Sequence, residues 1–237
     1  MKTLLLLLGG AKFGKVLLTS GTMLISIATY ALFWGWPFAV GFVLLIFLHE
    51  MGHYVAARQR GLDVGAPTFI PFVGAWIQLK DLPHNAETEA YVGMAGPVAG
   101  TAASLACYEA GRFLDSPLLI ALSYTGFMLN LFNLLPLSPL DGGRVTAVIS
   151  PRLWLVGAPL LVALFFWQPS PMYLLIALIA LPTFWQALTG RGLQTVYYEA
   201  PPQTRFNYGV AYVGLVAYLG AMTWSLHEQL GGIRAAG

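Results

Sequence analysis

Seven apolar runs take up most of the chain, and they limit its fold before any motif is considered. They are Val16–Trp36, Phe38–Ala57, Tyr91–Gly111, Leu118–Leu135, Leu153–Trp167, Met172–Leu188 and Tyr208–Leu226. A membrane-spanning helix needs about 20 predominantly apolar residues. Most of these runs meet that length, while the fifth and sixth fall short. Of the 237 residues, 57% are hydrophobic and only 9% charged, so little length is left for a soluble domain. The expected fold is mainly α: a polytopic, integral membrane protein of about six to seven transmembrane helices. A net charge of +2 is too small to suggest nucleic acid as a partner. The single cysteine, Cys107, lies in an apolar run and excludes an intrachain disulfide.

The runs suggest three regions. Residues 1–15 read as an N-terminal interfacial segment that stays on the protein, since no small-residue cleavage site follows Leu4–Leu8 and Lys12 and Lys15 come next. Residues 16–145 form a membrane core, and 146–237 supply the C-terminal transmembrane helices. Gly35-Trp36-Pro37 should turn the first two runs into a hairpin. With seven alternating crossings and a cytoplasmic N-terminus, ten basic residues fall on the cytoplasmic side: Lys2, Lys12, Lys15, Arg58, Arg60, Lys80, Arg144, Arg152, Arg191 and Arg205. Only Arg112 and Arg234 fall on the other, a strong positive-inside asymmetry.

Between the second and third runs, Val64–Leu79 carries β-branched and aromatic residues, Pro67, Pro71 and Gly74. It reads either as one or two short membrane-associated strands or as a hydrophobic loop packed on the helices. The third helix should start before its apolar run, with Asn85 as cap and Glu87 and Glu89 in the first turn. Pro97 should kink it. Gly93, Gly96, Gly100, Ala103 and Cys107 recur at three- and four-residue steps, a small-residue stripe suited to close helix packing.

The chemistry begins at the end of the second run, in His49-Glu50-Met51-Gly52-His53. Residues four apart on a helix lie one above the other, so His49 and His53 present two imidazoles to one point. Two such nitrogens are half of a tetrahedral zinc site. Glu50 is placed to act as general base on a water at that metal. Ionisable residues inside a lipid-spanning helix are costly, and three within five positions are not explained by packing.

The fourth run is cut off by Pro136 and Pro139, just before Asp141-Gly142-Gly143-Arg144. Irregular backbone at membrane depth is tolerated only where protein or a watery cavity covers it. Bringing Asp141 to the two histidines would give two nitrogens, one carboxylate oxygen and an open position, the arrangement of a catalytic zinc. The alternative pairs Asp141 with Arg144 at the interface.

Taken together, His49-Glu50-Met51-Gly52-His53 and Asn133-Leu-Leu-Pro136-Leu-Ser-Pro-Leu140-Asp141-Gly142 resemble the two signatures of the site-2 protease family of intramembrane zinc metalloproteases. Gly96-Pro97-Val-Ala-Gly100 matches a third, looser family feature. The resemblance implies one zinc ion per chain held by His49, His53 and Asp141, with Glu50 as catalytic base and Asn133 positioning substrate or stabilising the oxyanion. Asn130 matches no signature position, and its role is open. The resemblance also implies a membrane-embedded sheet around Pro67–Leu79 and a transmembrane protein as substrate, cleaved within the lipid bilayer. It leaves the oligomeric state undetermined. The chain has no room for the PDZ or CBS domain of many members. Two rival readings are a metal transporter, disfavoured by the scarcity of ionisable groups in the non-cytoplasmic halves of the spans, and an inactive substrate-binding relative, disfavoured because all three ligands and the base are present.

Overall fold

The structure, a computed structural model, describes residues 2–72, 74–79, 83–191 and 195–236. Helix α1 (Lys2–Trp34) runs on through residue 15 without a boundary. Gly35 alone joins it to α2 (Trp36–Gln59), with a φ of 80° that a glycine adopts without steric cost. The hairpin closes around Ile27 and Tyr30 of α1 and Ala39, Val43 and Ile46 of α2.

The segment after α2 is strand rather than loop. β1 (Val64–Ile70) and β2 (Gly74–Leu79) form a two-stranded antiparallel sheet with Phe69 opposite Ala75 and Pro67 opposite Ile77. An irregularity between Val64 and Pro67 shifts the register. Phe69 packs into the α1–α2 core. The outer side of β1 is bonded to α1: Thr19 donates to the Pro67 carbonyl (2.7 Å), and the Phe69 amide donates to Thr22 (3.2 Å). Phe69 and Pro67 therefore point their backbone groups away from β2. By the alternation of an antiparallel ladder, their partners Ala75 and Ile77 point theirs to the opposite, outer side of β2.

Helix α3 (Ala86–Phe113) starts where its polar first turn predicts, the Asn85 side chain accepting from the Thr88 amide at 2.8 Å. Pro97 is accommodated inside this continuous helix. Helix α4 (Pro117–Asn133) stops before the two prolines. Turns lead to α5 (Asp141–Ile149), which the Trp154 indole anchors by donating to the Gly143 carbonyl at 2.8 Å. A 3-10 turn precedes α6 (Trp154–Trp167), and α7 (Pro171–Thr189) follows. A second 3-10 turn, Thr195–Tyr198, leads into α8 (Pro202–Ala236).

Each apolar run contains a helix. Among the described residues, α2, α3, α7 and the Pro202–Gly231 part of α8 are long and apolar enough to cross a membrane, as an integral membrane protein requires. Pro117–Asn133 and Pro151–Trp167 are apolar but shorter, so length alone does not decide whether they cross, and Leu18–Trp34 is an apolar part of the longer α1. The start of α3, helix α5, the connection after α7 and the start of α8 meet one another. Arg144 of α5 lies 3.7 Å from Glu89, and the Tyr197 hydroxyl donates to Glu89 at 2.6 Å. Arg205 donates to three carbonyls, those of Ile149, Tyr198 and Ala200.

Candidate metal centre

The site is built where α2, α3, α4 and α5 touch. One helical turn of α2 brings the His49 and His53 rings together edge-to-face, with centroids 4.8 Å apart. The break in α4 places Asp141 at the start of α5, against the same point. His49, Glu50, His53 and Asp141 are all buried.

Hydrogen bonds settle which ring nitrogens carry protons. The Val92 carbonyl can only accept, so the His53 Nδ1–H donates to it, at 2.7 Å. Asn130 donates through Nδ2 to the Gly126 carbonyl at 2.7 Å, which turns its Oδ1 toward His49. The His49 Nδ1–H therefore donates to that oxygen at 2.8 Å. In the neutral rings both Nε2 atoms are then bare acceptors.

Those two nitrogens and Asp141 Oδ2 converge. Nε2 to Nε2 is 3.1 Å, and Oδ2 lies 3.1 Å from His49 and 3.2 Å from His53. With both rings neutral, these three acceptors have no proton to share, and a cation between them would hold them together. Ligand atoms about 2.0 Å from a tetrahedral zinc stand about 3.3 Å apart, close to this spacing. The donor set therefore fits zinc. Ligand-type atoms of His49, Glu50 and His53 all lie within 4.8 Å of one another, which puts the Glu50 carboxylate beside the cluster.

Asp141 serves both partners that the sequence offered as alternatives. Oδ2 faces the histidines, while Oδ1 lies 3.7 Å from Arg144 Nη1. Arg144 is also the cation beside Glu89, whose other oxygen takes the Tyr197 hydroxyl. Burial and then this bond push the Tyr197 hydroxyl up, so it stays protonated and donates.

The small-residue stripe of α3 does more than pack helices. A Cβ at Gly96 would fall inside contact distance of Nε2 of both His53 and His49, and one at Gly100 would strike the Asn130 side chain. α3 can approach the cluster only as glycine at these two positions. Asn133, one turn beyond Asn130, ends α4 half-buried, with no side-chain hydrogen bond among the described residues. Sequence reasoning missed Asn130, the Val92 carbonyl and the contact of Gly96 with the ligands. Only Asn130 carried a signal, as a polar side chain in an apolar helix.

Residues 37–117 match the family model described as Peptidase family M50. The chain is 32% identical over 130 residues to the "Zinc metalloprotease MJ0392" of Methanocaldococcus jannaschii, covering 53% of this chain and 37% of that protein. It is 27% identical over 156 residues to the "Probable zinc metalloprotease EGY1, chloroplastic" of Arabidopsis thaliana, covering 46% of this chain and 28% of the other. The chain thus spans well under half the length of these curated relatives. The solved "Site-2 Protease from Methanocaldococcus jannaschii" aligns with a TM-score of 0.46 at 21% identity, over 76% of this chain and 87% of that one. The matched region contains the His49–His53 turn and the Gly96–Gly100 face, while Asp141 lies beyond it. In that region the chain is similar to Peptidase family M50 and to curated zinc metalloproteases, as its resemblance to the site-2 proteases led us to expect.

Proposed function

We propose that this protein is an intramembrane zinc metalloprotease that hydrolyses peptide bonds in or near transmembrane segments of membrane-protein substrates. The convergence of His49 Nε2, His53 Nε2 and Asp141 Oδ2 at 3.1–3.2 Å, with both Nδ1 hydrogens committed elsewhere, carries this reading. His49, His53 and Asp141 hold the metal. Zinc bound there would acidify a water and polarise the scissile carbonyl. Glu50 takes a proton from the attacking water and returns it to the leaving amine. Asn133, at the end of α4, faces the substrate or its oxyanion.

A helical substrate shields its own peptide bonds and must be unwound before cleavage. The outer edge of β2 offers the Ala75 and Ile77 backbone groups to an extended strand, and main-chain pairing of this kind holds peptides in register. The N-terminus is cytoplasmic, and so are the connections after α2, α5 and α7. Contacts among the start of α3, helix α5 and the segment between α7 and α8, through Glu89, Arg144, Tyr197 and Arg205, support placing these ends on one side.

The test is cleavage of single-span substrates by purified, zinc-loaded protein beside its Glu50→Gln variant. That variant should keep its zinc and lose proteolysis, because the base is gone and the ligands remain. Undiminished cleavage would overturn the mechanism.

A further inference from the structure

We propose that Arg144 is a positioning residue that holds Asp141 as a single-oxygen ligand, and that the Glu89–Tyr197 pair in turn fixes Arg144. The inference rests on the zinc site proposed above and concerns how that site keeps an open position. Asp141 is the only proposed ligand with two equivalent donor atoms. Oδ2 is directed at both histidines, whereas Oδ1 lies 3.7 Å from the Arg144 guanidinium. A carboxylate free to rotate can offer both oxygens to a metal and occupy the position that a reacting water needs. A guanidinium beside Oδ1 competes for that oxygen and opposes the rotation.

Arg144 does not stand alone. Its Nε lies 3.7 Å from Glu89 Oε1, and Glu89 Oε2 accepts from the Tyr197 hydroxyl at 2.6 Å. Both Arg144 and Glu89 are largely buried side chains, at 22% and 27% exposure, so the pair is not a freely solvated surface contact. The path runs from the start of α5 through the first turn of α3 to the 3-10 turn before α8. It ties a connection remote in sequence to the ligand cluster. Partners that orient metal ligands in this way usually matter roughly 10–100-fold to metal affinity.

The test measures zinc affinity by chelator competition and the visible spectrum of the cobalt-substituted protein, neither of which depends on proteolysis. Native protein should bind one zinc and give the intense cobalt bands of four-coordination. Arg144→Gln should lose roughly 10–100-fold in zinc affinity and give the weaker bands of higher coordination. Arg144→Lys keeps the charge without the planar fork and should recover part of the affinity. A folded Arg144→Gln with native affinity and a native cobalt spectrum would overturn the inference. If Arg144→Gln does not fold, Tyr197→Phe decides: it removes one hydroxyl away from the site, and native affinity with a native spectrum there overturns the inference equally. A native protein that binds no zinc would instead refute the proposed function.

Discussion

Asn130 gives the sharpest test of how the ligand cluster is prepared. Its Oδ1 accepts the His49 Nδ1 hydrogen at 2.8 Å, and its Nδ2 is anchored on the Gly126 carbonyl at 2.7 Å. Asn130→Ala would leave a buried N–H without a partner, at a cost of about 1–3 kcal/mol. The ring would also be free to turn, or to carry its hydrogen on Nε2, where it cannot ligate. Loss of such a partner lowers metal affinity about 10–100-fold, equivalent to about 1.4–2.7 kcal/mol, which is of the same size as the hydrogen-bond cost. Asn130→Asp has nearly the same shape and keeps an acceptor facing His49, but its second oxygen meets the Gly126 carbonyl and bonds it only when protonated. It should hold zinc more tightly than Asn130→Ala, since an acceptor for the His49 Nδ1 hydrogen is preserved. Zinc affinity is read by chelator competition, with helix content followed by circular dichroism. A folded Asn130→Ala that binds zinc as well as the native protein would refute the tautomer argument, and so would an Asp variant as weak as the Ala one.

Gly96→Ala should abolish stoichiometric zinc binding, because its Cβ would collide with both ligand nitrogens; metal analysis of the purified variant that found a full equivalent would contradict the packing described here. Ile77→Pro removes an outward-facing donor of β2, whereas Trp76→Pro removes one that pairs with β1. Ile77→Pro should therefore slow cleavage of helical substrates while leaving the sheet and the zinc content intact, and equal, small effects from both variants would remove the strand edge from the mechanism. Reporters fused after Arg60 and Arg191 should read cytoplasmic, and one after Arg234 external; a cytoplasmic C-terminus would show that one of the shorter apolar helices does not cross.

The parts of the site legible in the sequence are those set by short-range periodicity or by chain breaking. His49 and His53 meet because a helix repeats every 3.6 residues. Asp141 starts a helix because two prolines end the one before it. Asn130 and Val92 were not legible in the same way. Each touches a histidine across a helix–helix contact, at separations of 81 and 39 residues, where no local rule applies. Gly96 and Gly100 were visible as a stripe of small residues, but the pattern does not say what presses against it. A stripe that lets two helices approach and one that makes room for metal ligands look alike until α3 is placed against α2 and α4. The β-segment was ambiguous because its prolines suit either a loop or a strand, and Thr19 and Thr22 of α1 help to hold β1 as a strand.

Those two threonines have one more effect. A two-stranded hairpin has two open sides, and in lipid, where water does not compete for amides, either could add further strands without limit. With α1 bonded to the β1 side, any further strand would have to be added at β2. The hairpin would then behave as a terminus with a valence of one, able to take a single strand at β2 but not to become a link in a longer stack. Whatever pairs with β2, whether another chain or a second copy of this one, excludes every other candidate for as long as it stays.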